Sequence, residues 1–398
     1  MFLKPISHLY PNPIVTEQTR YSSRKFWRKK QGSYGLGPIK GWKIWLFLFA
    51  ALIISVVLHS CASSSQARSS QLTLAKELTF YDRMNAIPQP VLDAFTAEYG
   101  VTVNYITYKS QEDAVEYIRA GDKFDVAVIN SEFIPSLIND HLLADIDHTN
   151  VSNIQHVSTN FRGLVYDPEN RYSIPHTWST TGLLVRSDLV DGSVTQWADL
   201  WDQRYAGKVG VRPQPAELIS ISLKALGYPL NSEDPRELET ALNNLIKLKS
   251  SLVFLDPETD DPVSKLANGE IVIMVGWAED GSSAHRQNPT ISYVLPKEGT
   301  ILWSNNFVIS AKSTSKYTAE VFINYLMRPE VNAQIVNEVS CASTNDGARE
   351  FIQPEILEDP IVYPPIEDLV EGEWYLPRSP VAEKFYADIW NRFISYIP

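Results

Sequence analysis

The chain has two thiols, Cys61 and Cys341, among 398 residues. Two cysteines make no disulfide framework, and no Cys-x-x-Cys or Cys-x-x-His spacing offers a tetrahedral zinc site. Acyl transfer needs a nucleophile with a base beside it, and no Gly-x-Ser-x-Gly turn is present. Cys341 has no sequence-local base and reads as a packed thiol. The densest metal-type cluster is His141, Asp145, Asp147 and His148, whose spacing matches no common ligand set. In the acidic run from Asp256, Asp261 stands where a calcium loop requires glycine. These residues point to no catalytic centre and no resident cofactor. On these residues the chain is not expected to be an enzyme.

Charge divides the sequence. Residues 1–60 hold nine Lys/Arg and one acid, which leaves 26 basic against 46 acidic residues in the remainder. An acidic body excludes the basic stripes that nucleic-acid phosphates demand, and it is compatible with a cationic ligand. Within the basic segment, Arg24–Lys30, Lys40 and Lys43 precede the uncharged apolar run Ile44–Leu58. That run has the length of a signal h-region and is short for a stable span. Leu58-His59-Ser60-Cys61 follows and resembles a bacterial lipobox, with Cys61 the residue to be lipidated. Residues 1–60 are therefore expected to target the chain to the membrane, and 61–71 to act as a polar tether. The body would lie outside the cytoplasmic membrane, held by a lipid on Cys61 or by an uncleaved N-terminal helix.

The elements that must position any site are legible as an α/β alternation. Residues 77–82, 101–108 and 124–129 read as strands. Between them, Pro88–Tyr99 and Asp113–Ala120 have helical apolar spacing and end at Gly100 and Gly121. Further on, Trp197–Tyr205, Glu217–Leu226, Pro235–Leu248, Thr318–Met327, Glu330–Val336 and Tyr386–Ile397 are expected helices, with Pro329 breaking the pattern. Val209–Val211, Ile271–Trp277 and Asn306–Ser310 are expected strands. Ligands of such folds sit at strand ends, which draws attention to Asp82-Arg83-Met84 and Asn130-Ser131-Glu132.

Several segments together resemble the spermidine/putrescine-binding family of extracytoplasmic solute-binding proteins. They include Phe80-Tyr81-Asp82, Tyr172–Trp178, Trp197-Ala198-Asp199-Leu200-Trp201, Pro296-Lys297-Glu298-Gly299, Met327-Arg328-Pro329-Glu330 and Gly372-Glu373-Trp374. The resemblance implies a type II periplasmic-binding-protein clamp, two α/β lobes joined by crossing strands. Lobe one would be 72–178 plus 306–355, and lobe two 179–305 plus 356–398. It also implies an amine ligand in the inter-lobe cleft, an ABC permease as partner, and a monomeric state.

A polyamine needs carboxylates for its ammonium groups and flat aromatic walls for its methylenes. The resemblance places those functions on Trp277, Trp303 and Glu217, which the chain retains. It departs from the family pattern elsewhere: Asn305 and Gln214 stand for carboxylates, Arg83 and Ala86 for an aromatic pair, Glu132 and Cys341 for tyrosines, and Tyr375 for a glutamine. Two readings follow. In one, Glu217 and Glu132 serve a polyamine, with Asp82, Glu279 or Asp280 assisting. In the other the ligand has changed to a zwitterionic or anionic small molecule, and Arg83 recognises a carboxylate or phosphate; a ligand sensor without transport would use the same clamp.

Overall fold

A computed structural model describes residues 73–83, 86–256 and 259–396. The expected h-region, lipobox and Cys61 lie outside the described residues.

The first third alternates as its hydrophobic pattern requires. Strand β1 (Glu77–Arg83) is followed by α1 (Gln89–Tyr99), β2 (Thr102–Tyr108), α2 (Gln111–Ala120), β3 (Val126–Asn130) and the short α3 (Ile134–Asn139). Helix α1 buries Val91, Leu92 and Phe95 on one face and stops at Gly100, whose φ of 68° suits a residue without Cβ. Helix α2 begins at Ser110, whose side chain accepts the Asp113 amide proton at 3.0 Å.

Next come β4 (Ser173–Arg186), β5 (Val209–Val211), α4 (Pro215–Ala225), α5 (Pro235–Leu248), β6 (Leu252–Phe254), α6 (Pro262–Ala267), β7 (Ile273–Trp277), α7 (Ala278–Gln287) and β8 (Ile291–Val294). The remainder is β9 (Ile301–Ile309), α8 (Lys316–Leu326), α9 (Pro329–Val339), β10 (Ala342–Ser343), α10 (Pro354–Leu357), β11 (Glu373–Trp374) and α11 (Pro380–Ser395).

Among the described residues the strands run in the order β2-β1-β3-β9-β4-β7-β5-β6, with β8 and β10 on β4 and β11 on β9. Parallel trios, β2-β1-β3 and β7-β5-β6, form the two halves. The antiparallel pair β4/β9 joins them: β9 also pairs with β3, and β4 with β7. Each half has its own core. Phe80, Phe95, Phe307 and Phe322 centre one, and Trp197, Leu218, Ile221, Leu242 and Phe393 centre the other. This is the expected mixed α/β architecture of two lobes linked by crossing strands.

Several local expectations change. Trp197–Tyr205 is two 3₁₀ turns, Trp197–Trp201 and Gln203–Tyr205, because Asp202 is extended and its carboxylate starts the second turn by accepting from the Arg204 amide at 2.9 Å. The expected break at Arg328-Pro329 is present, and Pro329 itself opens α9 one residue before the expected Glu330, with Arg328 extended before it. Strand β9 starts at Ile301 rather than Asn306. The 14-residue β4 was unforeseen, since its Ser179-Thr180-Thr181 centre interrupts the apolar signal although all three are buried.

Candidate functional site

The carboxyl ends of the parallel strands meet around one cavity. β1 delivers Asp82 and Arg83. β3 ends at Asn130, and the turn after it carries Glu132. β7 ends at Trp277, and the first turn of α7 adds Glu279. The residues leading into α4 bring Gln214, and its first turn brings Glu217. The crossing strand β9 contributes Trp303 and Asn305, and Tyr375 follows β11. All nine candidate side chains — Asp82, Arg83, Glu132, Gln214, Glu217, Trp277, Trp303, Asn305 and Tyr375 — line this cavity.

One hydrogen-bonded relay sets the aromatic wall. The Trp303 indole N–H donates to Thr181 Oγ1 at 3.1 Å. Thr181 in turn donates to Glu217 Oε1 at 2.9 Å, and the Trp277 indole N–H reaches the same oxygen at 3.2 Å. Both ring planes are thereby held, edge to face, with centroids 6.0 Å apart. Asp280 accepts from the Trp277 backbone amide at 3.2 Å, which anchors the strand-to-helix turn. Asn305 donates to Thr177 Oγ1 at 3.0 Å.

Carboxylates dominate the lining: Asp82, Glu112, Glu132, Glu217 and Glu279 stand against Arg83 and Lys109. Glu279 is fully engaged, by Ser179 at 2.7 Å and by Arg83 at 3.3 Å. Arg83 also lies over the Trp277 ring, 4.2 Å from its centroid, and Arg212 lies 4.1 Å from the same ring while gripping Asp280 with both guanidinium nitrogens. Glu112 accepts from the Ala216 amide at the start of α4.

Other polar atoms have no partner among the described residues. Asp82 Oδ2, Glu132 Oε2, Asn130 Oδ1, His176 Nδ1 and the Tyr375 hydroxyl are buried and unpaired, and all five residues line the cavity. Leaving such groups unsatisfied is costly unless a ligand or water meets them. Burial pushes Asp82 up to about 7, although the Arg83 amide and charge oppose it. Burial likewise pushes Glu132 up to about 7, against the pull of Arg378. Glu217 and Glu112 are raised for the same reason. His176, stacked on Phe307 where the β4/β9 register slips, is pushed down to about 3 by burial and is neutral. Burial also raises the pKa of the cavity-lining Cys341 thiol, which disfavours its thiolate form.

Such a cavity suits a small cation with an apolar chain: indole faces for methylenes, unpaired carboxylate oxygens for N–H donors. Among the described residues, no group of three or more His, Cys, Asp and Glu is arranged to hold a metal ion.

Residues 91–364 match the family of bacterial extracellular solute-binding proteins. The chain belongs to this family. A spermidine/putrescine-binding periplasmic protein of Escherichia coli is 32% identical to it, over 78% of this chain and 90% of the relative. The putrescine/agmatine-binding protein of Pseudomonas aeruginosa is 28% identical, over 79% and 89%. Among solved structures, a spermidine/putrescine ABC transporter protein from Listeria monocytogenes superposes with a TM-score of 0.77 at 26% identity, covering 81% of this chain and all of that one. The spermidine/putrescine transporter substrate-binding protein of Streptococcus pneumoniae gives 0.67 at 28% identity, over 80% and 99%.

Sequence reasoning missed several residues that line this cavity or, like Thr181 and Arg212, hold its lining from behind. Thr181 and Ser179 sit on β4, which carried no strand signal. Arg212 directly follows β5, so the strand-end rule that flagged Asp82 and Glu132 applied equally to it. Glu112, in the first turn of α2, and His176, at the slipped register, had no readable signal, because only the fold turns them inward.

Proposed function

We propose that this chain is the extracytoplasmic capture component of an ABC importer, binding putrescine, spermidine or a related amine and delivering it to a permease. The observation that carries this reading is a cavity where Asp82 and Glu132 present unpaired carboxylate oxygens beside the indole wall of Trp277 and Trp303. The names of the relatives agree with it. Arg83 argues against an anionic ligand, because Glu279 and the Trp277 ring already engage its charge.

In this reading the protein is not an enzyme. It works as a monomer, with lobe one at 72–178 plus 306–355 and lobe two at 179–305 plus 356–398. The 178/179 and 305/306 limits fall within β4 and β9, the strands that cross between the halves, and the 355/356 limit falls within α10. A lipid on Cys61 holds it at the outer face of the cytoplasmic membrane.

Titration calorimetry of the purified chain against putrescine, spermidine, spermine, amino acids and small anions tests the ligand. An amine should bind; binding of an anion and no amine would overturn the assignment. For the anchor, Cys61→Ser should abolish lipid labelling in cells, and a retained label would refute it.

A further inference from the structure

An ammonium subsite in such a cavity consists of a carboxylate and a ring face within about 6 Å of one another's cation. The chain builds that pair at Glu279 and Trp277, and then fills it. Arg83 places its guanidinium 4.2 Å from the centre of the Trp277 ring and 3.3 Å from Glu279 Oε1. Ser179 takes the other Glu279 oxygen. The adjoining acid, Asp280, is held bidentately by Arg212, whose guanidinium lies against the same indole. A ligand cation arriving here would meet no free carboxylate oxygen and two guanidinium charges. Acids with unpaired oxygens stand elsewhere on the lining: Asp82 through Oδ2 and Glu132 through Oε2.

We propose that Arg83 is a built-in cation occupying one ammonium subsite, so that the cavity selects an amine with one fewer charge: a diamine in preference to a triamine. Arg83 is thus a specificity-determining residue whose charge is carried by the protein instead of the ligand. It bridges the end of β1 and the first turn of α7, elements of the two halves of the sheet, so it also draws them together around a short ligand. The inference rests on the amine-binding reading above.

Calorimetry with putrescine and spermidine on the full chain and its variants tests it. The wild-type chain should bind the diamine about tenfold or more tighter than the triamine. Arg83→Ala should shift that ratio toward the triamine by about tenfold or more, because Glu279 and the Trp277 face become available to a third ammonium. Arg83→Met, which keeps the packing of the methylene stem, should give the same shift, guarding against a misfolded alanine variant. Arg83→Lys, which restores the charge, should return the ratio toward the wild-type value. A wild-type preference for spermidine, or a ratio unmoved by both Arg83→Ala and Arg83→Met while amines still bind, would overturn the inference alone. Failure of the wild-type chain to bind either amine would overturn the amine reading, and this inference with it.

Discussion

Glu217 shows how much of a residue's role lies in its neighbours. It is buried, it orients Trp277 directly and Trp303 through Thr181, and burial raises its pKa. Glu217→Gln and Trp277→Ala should each weaken amine binding by about tenfold or more: the first removes a carboxylate charge from the cavity, and the second removes the ring against which Arg83 and the Glu217 carboxylate are positioned. Calorimetry reads this directly, and unchanged affinity in both would show the ligand lies elsewhere. Asp82 and Glu132 carry a pH prediction. Both titrate near 7 in the folded chain, so amine affinity should fall as pH drops from 8 to 5 and these carboxylates protonate. Stability of the ligand-free chain moves the other way. A carboxyl raised above its unfolded value binds its proton more tightly when folded, so its contribution is lost as pH rises from about 4 to about 7. Asp82→Asn, which is always neutral, should therefore be more stable than wild type at pH 8 and equal to it at pH 4; thermal melts across that range test it.

At the level of elements, segments that looked like isolated motifs prove to be one another's partners. Glu298 accepts from the Trp197 and Ala198 amides at 2.9 and 3.1 Å, and the Trp197 indole N–H donates to the Gly299 carbonyl at 2.9 Å. Pro-Lys-Glu-Gly and Trp-Ala-Asp-Leu-Trp thus form a single joint. Gly299 has a φ of +103°, and a Cβ there would lie 1.8 Å from the Glu371 carbonyl oxygen, in the segment leading to Gly372-Glu373-Trp374. Gly299→Ala should lower stability by about 3 kcal/mol or more through backbone strain and overlap. A melt should show the loss, while ligand affinity of the folded fraction stays as it was, because the joint lies away from the cavity lining.

Across the whole molecule, β4 and β9 are the members that serve both halves, and they also carry Thr177, Ser179, Trp303 and Asn305 into the cavity. A ligand touching both halves favours the closed arrangement, in which it has more partners. Saturating amine should therefore reduce the radius of gyration in solution scattering. At one hundred times the dissociation constant it should also stabilise the chain by about 2.7 kcal/mol. An unchanged radius with tight binding would mean the halves are already locked, by Arg83–Glu279 and Arg119–Glu383, without ligand.

Periodicity and punctuation in the sequence determine most of the α/β elements, because a buried strand or an amphipathic helix records its burial in local residue type. Helix α5 was legible to the residue, and Gly100 and Gly121 closed α1 and α2 where left-handed backbone was needed. The acid-and-indole character of the site was also legible, since Trp277, Trp303, Glu217, Asp82 and Glu132 are chemically explicit. Tertiary structure alone decided the polar strand β4, whose Ser and Thr residues are satisfied by Glu217, Glu279 and Tyr293 far along the chain. It also decided which charges remain free. Arg83 and Glu279 are 196 positions apart, and no local pattern reveals that the cation meant for a ligand's place is supplied by the protein itself.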